Sequence, residues 1–133
     1  MENGKNEHVV YVYGTLRPGS NDTVRVPGHL YELGWYPGIK LLPSSHNEGP
    51  FVLAERLVVD DNRLRQMDYY EGHIDGNPEK SFFHRHQYLD GWIYVFMGDV
   101  DNCEKVSCND GVADWLAHTG KEEGRAASRF SRG

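Results

Sequence analysis

The sequence predicts an α+β fold: five to six strands forming a curled sheet or small barrel, with flanking helices. Three observations carry this. Apolar, β-branched and aromatic residues gather in short runs bounded by Gly, Pro, Asn and Asp. One clear helical pattern interrupts the strands, and a second lies near the C-terminus. Strands and helices do not alternate regularly, which disfavours a doubly wound parallel sheet.

Residues 8–13, His-Val-Val-Tyr-Val-Tyr, suit a strand buried on both faces. Gly14 ends it, and Arg17-Pro18-Gly19-Ser20-Asn21 is turn chemistry. Residues 28–40 read as one kinked or bulged strand because Gly34, Pro37 and Gly38 interrupt an aromatic, β-favouring run. Residues 42–50 read as a loop. Phe51 to Val59 reads as a strand with Phe51, Leu53, Leu57 and Val59 on one face. Asp60-Asp61 offers a helix N-cap, Leu64, Met67 and Tyr70 follow at helical spacing, and Gly72 is the stop. After a loop over 73–80, Ser81–Leu89 and Trp92–Met97 form a hairpin across Asp90-Gly91. Asn109 or Asp110 then caps a short helix carrying Val112, Trp115 and Leu116 inward. Residues 1–120 make a single domain in this reading, and the tail over 121–133, without an apolar period, is expected to be disordered.

The 133 residues suffice for one hydrophobic core, and no run approaches the roughly 20 apolar residues of a membrane span. Met1 to Glu7 lacks the apolar stretch of a secretory signal, so a cytoplasmic location is expected, with no membrane partner. A net charge of −6 argues against a nucleic-acid partner. Cys103 and Cys108 are too few to make a zinc site and are read as unpaired thiols, with a local bridge as the alternative.

Two places carry candidate chemistry. In Val12-Tyr13-Gly14-Thr15-Leu16-Arg17-Pro18-Gly19 a buried strand runs into a glycine and a hydroxyl residue, where released backbone N–H groups can form an anion-binding nest. A plain turn is the bland alternative, and the Lys and Ser or Thr of a phosphate-binding loop are missing. In Met67-Asp68-Tyr69-Tyr70-Glu71-Gly72 a carboxylate sits on the last helical turn, facing the negative end of the helix dipole. That position and partial burial would raise its pKa, which suits a group that accepts and returns a proton. A solvated surface glutamate is the alternative.

In order along the chain stand Tyr-Gly-Thr-Leu after the first strand, Leu33-Gly34-Trp35-Tyr36-Pro37-Gly38, and Leu64-x-x-Met67-Asp68-x-x-Glu71-Gly72. Gly91-Trp92-Ile93-Tyr94-Val95-Phe96 closes the series. This pattern, over roughly residues 8–98, resembles the gamma-glutamylcyclotransferase-like superfamily, in particular its short branch with the gamma-glutamylamine cyclotransferases. The resemblance implies a small mixed β-barrel with flanking helices and an intramolecular reaction. The α-amine of a γ-glutamyl group attacks its own γ-carbonyl, releasing an amine and 5-oxoproline. It implies Glu71 as the acid/base group and Tyr13, Gly14, Thr15 and Leu16 as the segment holding the glutamyl part, with neither metal nor organic cofactor. Arg17, Arg85 and Tyr94 join the substrate-binding candidates. The match departs at Phe83-His84-Arg85, where the family usually carries Tyr-x-Arg.

Three histidines remain outside this pattern. His84 and His86 alternate on one strand with His73 nearby, a weak metal signal that leaves no metal expected. Trp92, Tyr94 and Phe96 share a strand face, which is commoner in a core than in a base-stacking platform. The competing functional classes are a non-catalytic small-ligand-binding or regulatory protein on the same fold, and an interaction adaptor. The first of these predicts Glu71 facing solvent or held in a salt bridge.

Overall fold

The computed structural model describes residues 6–14, 16–43, 45 and 47–120. Six main strands form one curled mixed sheet: β1 (Glu7–Val12), β2 (Thr23–Glu32), β3 (Pro37–Leu41), β4 (Phe51–Asp60), β5 (Phe83–Tyr88) and β6 (Gly91–Phe96). Their spatial order is β3-β2-β4-β1-β6-β5. Helix α1 (Asp61–Glu71) follows β4, a short hairpin of β7 (Cys108–Asn109) and β8 (Val112–Ala113) attaches to β4, and α2 (Trp115–Gly120) ends the described chain. Among the six main strands neighbours are antiparallel except β1 and β6, which run parallel with Val10 opposite Trp92, and the short β8 also pairs parallel to β4. No helix among the described residues is long and apolar enough to cross a membrane. Cys103 and Cys108 are both free.

The sheet is buried on both sides, and β1 shows why its sequence lacks polar alternation. Tyr11 and Tyr13 enter one core with Val26, Leu30, Ile39, Val52, Ile93 and Trp115. Val10 and Val12 enter the other, beneath α1, with Leu64, Met67, Phe83, Tyr94 and Phe96. Each fully buried apolar side chain of this size contributes about 1.5–3 kcal/mol, so β1 anchors both layers. At the seam where the curl brings β3 over β6, a side chain at Gly38 would meet the Phe96 Cβ at 2.9 Å. The Lys40 ammonium donates to the Phe96 carbonyl across the same seam at 2.7 Å.

Four sequence expectations change. The kinked strand over 28–40 is a hairpin, β2–β3, whose turn spans Leu33-Gly34-Trp35-Tyr36, and Gly34 takes a left-handed φ of 108°. Glycines in a β-favouring run fit a bulge or a turn equally well, and only the register Glu32↔Pro37 decides. On β4 the fully buried residues are Val52 and Ala54, with Glu55 beside them, while Phe51, Leu53 and Leu57 are half-buried. The β5–β6 turn centres on Leu89-Asp90 rather than Asp90-Gly91: Gly91 must lie in β6, because its Cα faces β1 directly. Asn109-Asp110-Gly111 turns the β7–β8 hairpin, with left-handed φ at Asp110 and Gly111, and the cap of α2 is Asp114. The expectation of a disordered tail over 121–133 lies outside the described residues.

Gly91 gives the fold its most exposed steric dependence. A methyl group there would stand 2.2 Å from the Val9 carbonyl oxygen, a backbone atom that cannot step aside. Gly91→Ala is therefore expected to lower stability by about 1–3 kcal/mol or more through overpacking. A urea midpoint equal to wild type would show that β1 and β6 do not approach as described.

Candidate active site

The topology delivers a carboxylate to the loop that follows β1. β4 ends beside the start of β1, with Asp60 opposite Glu7, and α1 begins there. Eleven helical residues rise about 16 Å, and six strand residues span about 20 Å. A helix folding back along β1 therefore carries its last turn to the level of Tyr13. Asp60 starts α1 by accepting the Arg63 N–H at 2.8 Å, a cap of about 1 kcal/mol. Gly72 stops it in a left-handed conformation, φ 74°, that a side chain would strain. The buried stripe is Leu64, Met67 and Glu71, whereas Tyr70, expected inward, is 44% exposed.

Glu71 is 1% exposed, so the solvated-surface alternative does not hold. It lies close enough to two phenols to act on them electrostatically. Burial, then the Glu71 charge, holds the Tyr13 hydroxyl well above the ordinary tyrosine range. The Tyr94 hydroxyl is raised mainly by burial, then by Asp68, with a smaller push from Glu71. Tyr13 is itself a core residue: its hydroxyl donates to the Tyr94 carbonyl at 2.6 Å and accepts the Ile39 N–H at 3.3 Å. Its phenol ties the loop to β6 and β3. Gly14 is buried and its carbonyl accepts the Arg17 N–H at 3.1 Å, closing the turn. Leu16 packs against the core beneath α1. Thr15 lies outside the described residues.

Arg17 points elsewhere. Its Nε donates to Glu55 and its Nη1 to Asp114, each at 2.8 Å, and its side chain is 7% exposed. Glu55, fully buried in β4, also accepts the Gly19 and Ser20 N–H groups at 2.9 and 2.8 Å and the Ser20 hydroxyl at 3.1 Å. Burial alone would raise this carboxyl, but the hydrogen bonds from Arg17 and Ser20 outweigh it and hold it below the ordinary range. Glu55 therefore organises residues 17–20, directly after the candidate substrate loop. Sequence reasoning missed it, although a carboxylate inside Val52-Leu53-Ala54-Glu55-Arg56-Leu57-Val58-Val59 was the available signal.

Arg85 and Tyr94, opposite one another on β5 and β6, meet at Asp68 of α1. Arg85 donates through Nε at 2.7 Å and Nη2 at 3.1 Å, and the Tyr94 hydroxyl donates at 2.6 Å. The guanidinium also stacks over Trp92 at 4.4 Å. This second missed residue, three before Glu71 on the helix, fixes α1 on the sheet and orients the Tyr94 ring. Phe83 is buried against Tyr36, Phe82 and Phe96, so an apolar ring fits its site. His73 and His84 serve the neighbouring loop. His73 Nδ1 accepts the Arg85 N–H at 2.8 Å, its ring lies 4.4 Å from that of His84, and Ser81 bonds His84 Nδ1 at 3.0 Å. Asp68→Ala would leave Arg85 and Tyr94 without their acceptor and is expected to cost about 1–3 kcal/mol. Its double-mutant cycle with Tyr94→Phe should return a coupling above about 0.5 kcal/mol, and strict additivity would argue against the network.

A family model described as gamma-glutamyl cyclotransferase, AIG2-like, matches residues 10–117. No curated protein and no solved structure matches the chain.

Proposed function

The chain belongs to the AIG2-like gamma-glutamyl cyclotransferase family, and on that premise we propose that it converts a γ-glutamyl amine or amino acid into 5-oxoproline and the free amine, with Glu71 as general acid/base. The observation that carries this reading is the placement of Glu71: buried, on the last turn of α1, beside the Tyr13 loop. A carboxyl group so placed stands where it can take up a proton from one nitrogen of a bound substrate and give it back to another.

The chemistry asks little of the protein. Nucleophile and electrophile belong to one molecule, so the main task is to hold the glutamyl chain in a folded conformer. The loop from Tyr13 to Leu16 takes that part through backbone groups. Glu71 accepts a proton from the α-ammonium, and the freed nitrogen bonds to the γ-carbonyl carbon. The original amide C–N bond then breaks as Glu71 returns the proton to the departing nitrogen. The second proton lost by the attacking nitrogen passes to the released amine, which leaves as an ammonium, with a lactam N–H remaining on 5-oxoproline. Tyr13 and Tyr94 act through position, as walls fixed by their hydroxyl bonds. Arg17 and Arg85 are positioning residues in this account, because their guanidinium groups serve Glu55, Asp114 and Asp68. A binding protein without catalysis predicts a solvent-facing or salt-bridged Glu71, and its burial speaks against the first of these forms.

The test is incubation of the purified protein with a panel of γ-glutamyl amino acids and γ-glutamyl amines, quantifying 5-oxoproline and free glutamate. Cyclisation releases 5-oxoproline with an equal amount of amine and no glutamate. Glutamate as the product would mean hydrolysis and would overturn the proposal.

A further inference from the structure

Beside the candidate active site, a cavity of about 330 Å³ is lined by Leu16, Arg63, Gln66, Met67 and Tyr70. Four of these residues lie on α1 and the fifth closes the Tyr13 loop. Arg63, Met67 and Glu71 are spaced at i, i+4 and i+8, so they form one ridge with Glu71 at its end. The ridge is about 12 Å long. Along it the lining changes character. Met67, one turn before Glu71, and Leu16 are apolar and packed into the core beneath the helix, whereas Arg63, two turns before it, and Gln66 are exposed and polar. The Arg63 guanidinium makes no ion pair with a described residue, and the neighbouring Asp60 carboxylate is occupied in capping the Arg63 N–H.

Building on the cyclotransferase reading, we infer that this cavity is the subsite for the leaving group and that Arg63 selects leaving groups carrying a carboxylate on an apolar body, as in a γ-glutamyl-leucine. With the γ-carbonyl beside Glu71, the departing nitrogen faces down the ridge. Its apolar side chain lies against Met67, Leu16 and the Tyr70 ring, and its carboxylate reaches the guanidinium. Arginine suits this role because its planar fork meets a carboxylate through two parallel N–H bonds. The same charge repels a polyamine or a lysine ammonium. The volume fits one group of amino-acid size, at the lower end of small-molecule sites.

Two donors that differ only in the carboxylate test this: γ-glutamyl-leucine and γ-glutamyl-isopentylamine, compared by kcat/KM for 5-oxoproline release. Wild type should favour the leucine donor by about three- to fivefold, the upper range of a solvent-exposed ion pair. Arg63→Gln should bring that ratio close to one by raising KM for the leucine donor, and Arg63→Lys should retain part of it. Equal use of both donors by wild type, or a ratio that Arg63→Gln leaves unchanged, overturns the inference while the cyclotransferase reading stands. If folded wild type cyclises neither donor nor any other member of the panel, the cyclotransferase reading falls and the inference falls with it.

Discussion

Glu71→Gln is expected to lower kcat by about 10²–10⁴-fold, the usual worth of general acid/base help, with a much smaller change in KM. The substitution keeps shape and volume at a residue that is 1% exposed, so the fold should survive it. What it removes is the ability to hold a proton between two nitrogens. The residual rate should then depend on substrate that has already lost its α-ammonium proton, whose unperturbed pKa is roughly 8. The variant's rate should accordingly climb with pH through that region more steeply than the wild-type rate does. A folded variant with wild-type kcat would remove Glu71 from the mechanism.

The largest stability effect is expected at Glu55. Glu55→Ala strips the acceptor from Arg17, Gly19 and Ser20 and leaves a guanidinium with a 7% exposed side chain facing Asp114 alone. Removing one partner of a buried ion pair costs about 3–5 kcal/mol, because the remaining charge stays buried. Urea unfolding reads this directly, and a loss under about 1 kcal/mol would place the pair in solvent-screened surroundings instead. The pH dependence has a definite sign. A carboxyl held below its unfolded range stabilises the fold at any pH above the unfolded value, and that contribution is lost as pH falls through the folded value. Acid destabilisation should therefore be shallower in Glu55→Ala than in wild type. Since Glu55 shapes residues 17–20, the variant should also bind glutamyl substrate more weakly at temperatures where it is still folded.

Features set by near neighbours were legible in the sequence. The double burial of β1 follows from its unbroken β-branched and aromatic run. The cap at Asp60 and the stop at Gly72 bound α1 as expected, because both rest on hydrogen bonds within a few residues. The inward direction of Glu71 is different. Helical spacing from Leu64 and Met67 allows it, yet composition favours a solvated glutamate, and the family resemblance tipped the balance. Partners far apart in the chain were not legible. Glu55 meets Arg17, Asp68 meets Arg85 and Tyr94, and Tyr13 meets Ile39 and Tyr94 only once the sheet has curled. Without those partners, Arg17 and Arg85 read as free cations available to a substrate. Turn positions failed for a related reason: Asp90-Gly91 and Asn109-Asp110-Gly111 carry the right residues, but tertiary contacts choose the register. Asp90 is held by the Tyr11 hydroxyl and by Arg56, and Gly91 is drawn into β6 against Val9.

The central claim is that a buried carboxylate at the end of α1 moves the protons of an intramolecular cyclisation. Its most direct test is 5-oxoproline release from the best γ-glutamyl donor by wild type and Glu71→Gln side by side, with both shown to be folded. The account predicts turnover by wild type and its loss in the variant. Equal turnover by the two proteins, or none from folded wild type on any γ-glutamyl donor, would contradict it.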